Sequence, residues 1–280
     1  MTAGAVRDLH FDLSGVGIRL FDLPESIAAT LESTWRPFVV ARVGSPVVDL
    51  RVEATAVASF PGEFAPKAMR ADLTPHRARY EMAEGRVEID AAGSGSIEIG
   101  MAEGQRSYYG LINLVRAALA WRMPSRGGAL LHAAGIVLRD RAFVLTGPAG
   151  SGKSSWARLA MGVGARVLSD DLVLIDGSAG LPECLGAPFR STHEKTVGPG
   201  RWPLAAILFP DHGEAAGLAE VAGLEARARL LANLPFVGEG LGHDPSVAEL
   251  IEGLLGAVPA RVLTFSLDPG FVGLLDSFEG

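Results

Sequence analysis

Residues 147–154 read Gly-Pro-Ala-Gly-Ser-Gly-Lys-Ser, which fills every fixed position of the phosphate-loop pattern G-x-x-x-x-G-K-[ST]. Glycine is common in this chain, so Gly147 and Gly152 alone say little. Lysine is rare: of 25 basic residues only Lys67, Lys153 and Lys195 are lysines. A lysine at the fixed position is therefore the informative residue. The flanks agree with it. Ala142–Thr146 (AFVLT) is a short apolar, strand-forming run that leads straight into the loop. After the loop, Trp156, Leu159, Ala160 and Val163 recur at spacings of three and four and predict one helix face. Strand, glycine-rich loop and helix together aim backbone N–H groups and a helix N-terminus at a phosphate chain. Gly147, Pro148, Ala149, Gly150, Ser151, Gly152, Lys153, Ser154 and Ser155 are then the expected nucleotide cradle. Lys153 would reach the β- and γ-phosphates of ATP, and the Ser154 hydroxyl would ligate Mg²⁺.

Two further elements converge on the loop in this reading. Ala165–Ser169 reads as the next strand and ends in Asp170-Asp171, so the acids are expected beside the loop. One carboxylate there can hold Mg²⁺ while the other accepts a proton from an attacking hydroxyl. Upstream, Leu130–Leu138 and Ala142–Thr146 flank Arg139-Asp140-Arg141, a hairpin signal. Pairing Leu138 with Ala142 and Ile136 with Val144 brings His132 opposite the start of the loop, give or take a residue. A histidine in that place can exchange a proton near neutral pH or set its cation against a γ-phosphate.

The order His132, phosphate loop, short helix, Asp170-Asp171 resembles the catalytic core of the HPr kinase/phosphorylase family. It is more similar to the HPr-kinase-related proteins of peptide-modification gene clusters, some of which phosphorylate a serine on a lasso-peptide precursor. The resemblance covers roughly residues 110–176 and is weak in the tail. It implies an ATP- and Mg²⁺-dependent phosphotransferase acting on a serine of a small protein or peptide. It assigns Asp170 as the proton-accepting acid, Asp171 as a metal-side partner together with Ser154, and His132 as an auxiliary acid or base. The fold it implies is an α/β P-loop kinase domain, HPr kinase/phosphoenolpyruvate carboxykinase-like, behind a β-rich α+β N-terminal domain. Two departures stand out. Ser155 occupies the position where the HPr enzymes usually carry a glutamate, and the long glycine-rich signature after their acidic pair has no counterpart here. HPr as acceptor and the reverse phosphorolysis are therefore left open.

Charge and composition limit the alternatives. A net charge of -7 argues against a nucleic-acid groove, which needs a basic face. The one cysteine, Cys184, excludes an internal disulfide framework and suits a reducing cytoplasm; it reads as a small buried hydrophobe. The N-terminal residues carry Arg7 and Asp8 without an apolar core, so no signal peptide is expected, and no apolar run has the length of a membrane span. Residues 1–124 are expected to form the β-rich domain. Alternation at Leu9–Leu13, Val48–Val52, Tyr80–Met82, Val87–Ile89 and Ile97–Ile99 predicts an antiparallel sheet with one wet face. Its edge is a candidate surface for an acceptor peptide. A helix is expected at Pro24–Ser33, a long loop at Phe60–Pro75, and the strongest helix at Ser107–Arg122, able to pack on either half.

Residues 125–280 are the expected ATP-binding domain. Leu172–Ile175 continues as a strand, and Leu181–Phe189 reads as irregular. The polar loop after it offers Arg190 as the residue that stabilises charge on the transferring phosphoryl group, with His193 and Lys195 as weaker candidates. Leu204–Phe209 reads as a buried strand. Helices are expected at Ala215–Leu234 and, capped by Asp244, at Pro245–Leu255; a last strand is expected at Arg261–Leu267. His212 and His243 sit in turn-like contexts without metal spacing and are assigned to architecture. The reading is a cytoplasmic serine kinase whose acceptor is a small protein or peptide, with no nucleic-acid or membrane partner and with homo-oligomer formation left open. Three alternatives stand beside it: a kinase for a small metabolite, a nucleotide-sensing module that does no chemistry, and an ATPase motor or transporter subunit, which the lack of an LSGGQ signature and of a separate distal acidic strand end followed by a glutamate disfavours.

Overall fold

The computed structural model describes residues 5–55, 69–101, 106–189, 197–236 and 245–278. Contacts divide the chain into two compact units that change over between Arg122 and Met123, with Phe236 grouped with the first. The first holds β1 (Val6–Asp12), β2 (Gly17–Pro24), α1 (Glu25–Thr34), β3 (Val39–Val40), β4 (Val48–Thr55), β5 (Arg70–Leu73), β6 (Arg77–Met82), β7 (Gly85–Asp90), β8 (Ser94–Gly100) and α2 (Arg106–Arg122). The strands form one sheet in the order β3-β1-β2-β4-β8-β7-β6-β5.

Alternation does what it should in this sheet. Leu50, Val52, Tyr80, Met82, Val87, Ile89, Ile97 and Ile99 are buried, together with Ile27 and Leu31 of α1. The stripe of α2, with Leu111, Leu114, Val115, Ala118 and Leu119, is buried as well, and α2 packs on β6, β7 and β8 of this unit. The strand directions differ from expectation. The sheet is mixed, because β2 pairs with β4 and β4 with β8 in parallel. A parallel pair needs a crossover connection; α1 lies between β2 and β4, and the meander β5-β6-β7 lies between β4 and β8. Alternation reports which face is buried and carries no information on direction. The loop expected at Phe60–Pro75 also changes: its end forms β5, which pairs with β6, while residues 56–68 lie outside the described ones.

The second unit holds β9 (Ala129–Leu138), β10 (Arg141–Thr146), α3 (Lys153–Gly162), β11 (Arg166–Ser169), β12 (Leu172–Asp176), β13 (Glu183–Leu185), β14 (Arg201–His212), β15 (Gly217–Glu220), α4 (Gly223–Ala232), α5 (Pro245–Ala257), β16 (Ala260–Phe265) and α6 (Phe271–Asp276). Two long strands organise it. Along one edge β9 pairs with β10; along the other it pairs with β12 and then β11. The first residues of β14 pair with β13, and its later residues run parallel to β10 and β16. The hydrogen-bonded path β9–β10–β14–β13–β12 thus returns to β9. One face of β9, β10, β14 and β16 packs Ile136, Phe143, Leu145, Leu208 and Phe265 under Trp156 of α3, and Trp156 stacks on Phe271 of α6 at 5.9 Å.

Several elements of this unit differ from the sequence expectation. The buried face of α3 is Lys153, Trp156, Ala157 and Ala160; Val163 lies past the helix end and is half exposed. The segment 181–189 is not wholly irregular, since β13 bridges β12 and β14. The helix expected over Ala215–Leu234 splits into β15 and α4, because the edge of β16 is open to pairing and β15 takes it. The last strand ends at Phe265, leaving Leu267 exposed. Asp244 and His243 lie outside the described residues. Cys184 is fully buried, and burial pushes its thiol pKa up. Among the described residues, no helix is long and apolar enough to cross a membrane.

Candidate functional site

The site begins with a hairpin. Arg139 and Asp140 both have left-handed backbones (φ 45° and 58°) and form a two-residue turn of the kind that matches strand twist. Arg141 therefore belongs to β10 and pairs with Leu138, and the register runs to Thr146 opposite Ala133. This is one residue from the expected pairing, because the turn has two residues instead of three. Continued by one step, it sets His132 across from Gly147.

The loop that follows relies on glycine where a side chain would be strained. Gly150 and Gly152 have φ of +80° and +90°, a region that residues with a Cβ seldom enter. At Gly152 the space is also tight: a Cβ would lie 3.2 Å from the Phe265 ring and 3.3 Å from the His212 ring. Gly152 is the N-cap of α3 and supplies no side-chain acceptor, so the first-turn N–H groups have no side-chain cap, as an anion site requires. The Lys153 ammonium donates to the carbonyls of Gly147 (2.6 Å) and Pro148 (2.9 Å). Burial lowers its pKa, and the charge of Asp171 opposes that shift.

Asp170-Asp171 forms the turn between β11 and β12. Its geometry depends on Ser169, the last residue of β11. The Ser169 hydroxyl accepts from the N–H groups of Asp171 and Leu172 (both 3.1 Å) and donates to the Phe189 carbonyl. A serine just before an acidic turn is a recognisable local cap, and that signal was available. Asp170 is buried, while the Asp171 side chain is about a quarter exposed (28%). The Asp171 carbonyl accepts from Ala133 N–H at 3.1 Å, which ties the acidic turn to β9.

His132 is held from three sides. Its N–H donates to the Asn233 carbonyl at the end of α4 (2.9 Å), and its own carbonyl accepts from the Thr146 hydroxyl (3.0 Å). Its ring Nδ1 lies 3.1 Å from the Asp171 carbonyl and 3.6 Å from an Asp171 carboxylate oxygen. Both neighbours are acceptors, so the geometry suits an N–H at Nδ1 and leaves Nε2 facing away from Asp171. No local pattern marks Asn233, which reaches His132 only through the tertiary fold.

Together these residues enclose a cavity of about 390 Å³ lined by His132, Ala149, Gly150, Gly152, Lys153, Ser154, Ser155, Asp170 and Asp171. Its volume lies within the range of small-ligand sites. The Ser154 hydroxyl and the Asp171 carboxylate on its wall are hard oxygen donors of the kind Mg²⁺ takes one or two at a time, beside phosphate oxygens. The donor set fits Mg²⁺ with a nucleotide. Among the described residues, no group of three or more His, Cys, Asp or Glu is arranged to hold a metal by itself. Of the sequence-predicted residues, Arg190, His193 and Lys195 lie outside the described ones; His212 lies against the loop instead of in a free turn. No protein-family model matches the chain, and no curated protein matches it.

Proposed function

We propose that the chain is a cytoplasmic, ATP-dependent kinase that transfers the γ-phosphoryl group to a serine hydroxyl of a small protein or peptide. The observation that carries the reading is the convergence of a complete phosphate loop, Asp170-Asp171 and His132 on one cavity. The serine acceptor rests on the resemblance of this motif order to the HPr kinase/phosphorylase family, and the α/β P-loop kinase fold is part of the same proposal.

In this reading the serine oxygen forms a bond to the γ-phosphorus while the bond to the β–γ bridging oxygen breaks, and ADP leaves. Asp170, buried at the cavity wall, takes the hydroxyl proton as the oxygen attacks. Lys153 exchanges its two loop carbonyls for phosphate oxygens, and the loop amides hold charge on the equatorial oxygens. His132 has Nδ1 committed to Asp171, so Nε2 serves as the auxiliary acid or base. Ser154 and Asp171 are the residues that would hold Mg²⁺, which would supply charge neutralisation at the phosphates. Positioning and electrostatics account for the rate in such transfers, which is why a fixed acidic turn matters.

Intact-mass analysis tests the proposal. The protein is mixed with Mg·ATP and serine-bearing peptides, with Asp170→Asn as control. A phosphate gained on a peptide, absent with the variant although its ATP affinity is retained, is the expected result. ADP release without peptide modification would point to a metabolite kinase. ATP binding with no turnover, unaffected by Asp170→Asn, would point to a nucleotide sensor.

A further inference from the structure

The acidic turn and His132 occupy one flank of the phosphate loop, on the β9 side of β10. The other flank is built by β14 and β16, which run parallel to β10 and its neighbour, so their C-terminal ends emerge beside the loop. Ligands of parallel sheets bind at those ends. A nucleotide whose γ-phosphate faces Asp170 and Asp171 has its nucleoside at the far end of the phosphate chain, and this second flank borders the cavity at Gly152.

His212 is the last residue of β14. It shares the strand face of Ala206 and Leu208, which pack under α3, so its ring is on the loop side of the sheet. Asp211 is on the opposite face, where the Thr264 hydroxyl reaches its carboxylate (3.5 Å). The His212 ring is exposed, rests against the Phe265 ring at 5.8 Å between centroids, and comes within van der Waals reach of the Cβ that Gly152 lacks. Phe265 is itself fixed by an edge contact with Phe271. The result is one exposed imidazole ring, backed by the buried Phe265, directly beside the N-cap of the phosphate-binding helix. An aromatic ring beside a polyphosphate cradle suits the flat face of a nucleobase.

We propose that His212, supported by Phe265, is the platform on which the base of the loop-bound nucleoside triphosphate stacks. This rests on the nucleotide reading of the loop and adds to it the seat of the base. The test uses the full chain and two ligands, Mg·ATP and Mg·tripolyphosphate, titrated calorimetrically into the wild type, His212→Ala and His212→Phe. His212→Ala is expected to weaken ATP roughly tenfold, the scale of losing one aromatic platform, while leaving tripolyphosphate within about twofold. His212→Phe should bind ATP about as well as the wild type. Unchanged ATP affinity in His212→Ala overturns the proposal. So does an equal loss of both ligands, which would mean that His212 only shapes the loop, or a wild type that holds ATP no better than tripolyphosphate. A wild type that binds neither ligand sinks the nucleotide reading itself, a distinct result.

Discussion

The two sheets of this protein treat polar groups in opposite ways. In the first unit, polar side chains lie on the strand faces and pair with one another. Arg86 meets Glu98 across β7 and β8, Arg77 meets Glu88, and Arg79 meets Glu81. A cavity of about 310 Å³ on that face is lined by Arg79, Arg86, Val87, Ser96 and the carboxylates of Glu53, Glu88 and Glu98, and among the described residues no phosphate loop enters it. In the second unit the core-facing side of β9, β10, β14 and β16 is apolar, and the polar groups of the candidate site gather where the end of β10, His132 of β9 and the β11–β12 turn come together. Charges paired along a face are solvated and contribute little. Groups gathered at strand ends are held by backbone hydrogen bonds and can aim at a ligand. The first arrangement builds a surface and the second builds a site.

The contrast can be broken most forcefully at the core that supports the loop. Trp156 is fully buried beneath the site strands. Trp156→Ala is expected to destabilise the protein by about 3–5 kcal/mol, measured by denaturant unfolding, and a loss below 1 kcal/mol would mean the loop stands without that core.

A second test concerns the charge cluster of Asp176, Arg201 and Glu183. Burial works to raise the Asp176 carboxyl pKa, but hydrogen bonds from Arg201 and Ser178, with the Arg201 charge, hold it below the ordinary value. Arg201 also pairs with Glu183 at 2.7 Å. A depressed carboxylate pKa gives stability that is fully present above the unfolded pKa, about 3.9, and is lost as pH falls through the folded value. Arg201→Ala should cost about 3 kcal/mol at neutral pH, the low end for a buried pair because Arg201 is nearly a third exposed (29%). It should also flatten the acid limb of the stability curve; an unchanged limb below pH 4 would contradict the assignment.

Ser169 sharpens the comparison at the site itself. It positions the acidic turn and does not line the cavity. For the proposed phosphoryl transfer, Ser169→Ala is expected to lower turnover roughly tenfold through misplacement of Asp170, with the proposed ATP affinity unchanged and partial rescue by Ser169→Thr. Weakened ATP binding would show that the serine acts on the loop. The smallest effect is expected in the first unit. The Tyr80 hydroxyl is buried with no hydrogen-bond partner among the described residues, and burial raises its pKa. Tyr80→Phe should leave stability unchanged or raise it by up to about 1 kcal/mol, since it removes an unsatisfied polar group. A marked loss would reveal a partner for that hydroxyl.

Residue order alone was enough for whatever depends on neighbours in the chain. The strand, loop and helix around Lys153 follow from an apolar run, glycines able to take φ of +80° and +90°, and a helical spacing. The acidic pair at the end of the next strand was legible for the same reason, as were the buried faces of β4, β6, β7 and β8. Only the tertiary structure decided pairings whose partners are distant. The parallel direction of β2–β4–β8 depends on crossovers that alternation does not report. The conversion of Gly217–Glu220 to strand depends on the open edge of β16. The clamp of Asn233 and Asp171 on His132, and the seating of His212 against Gly152, join segments that meet only when the sheet closes. Local backbone preference and side-chain period are written within a few residues; which distant strand end meets which is set by the packing of the whole unit.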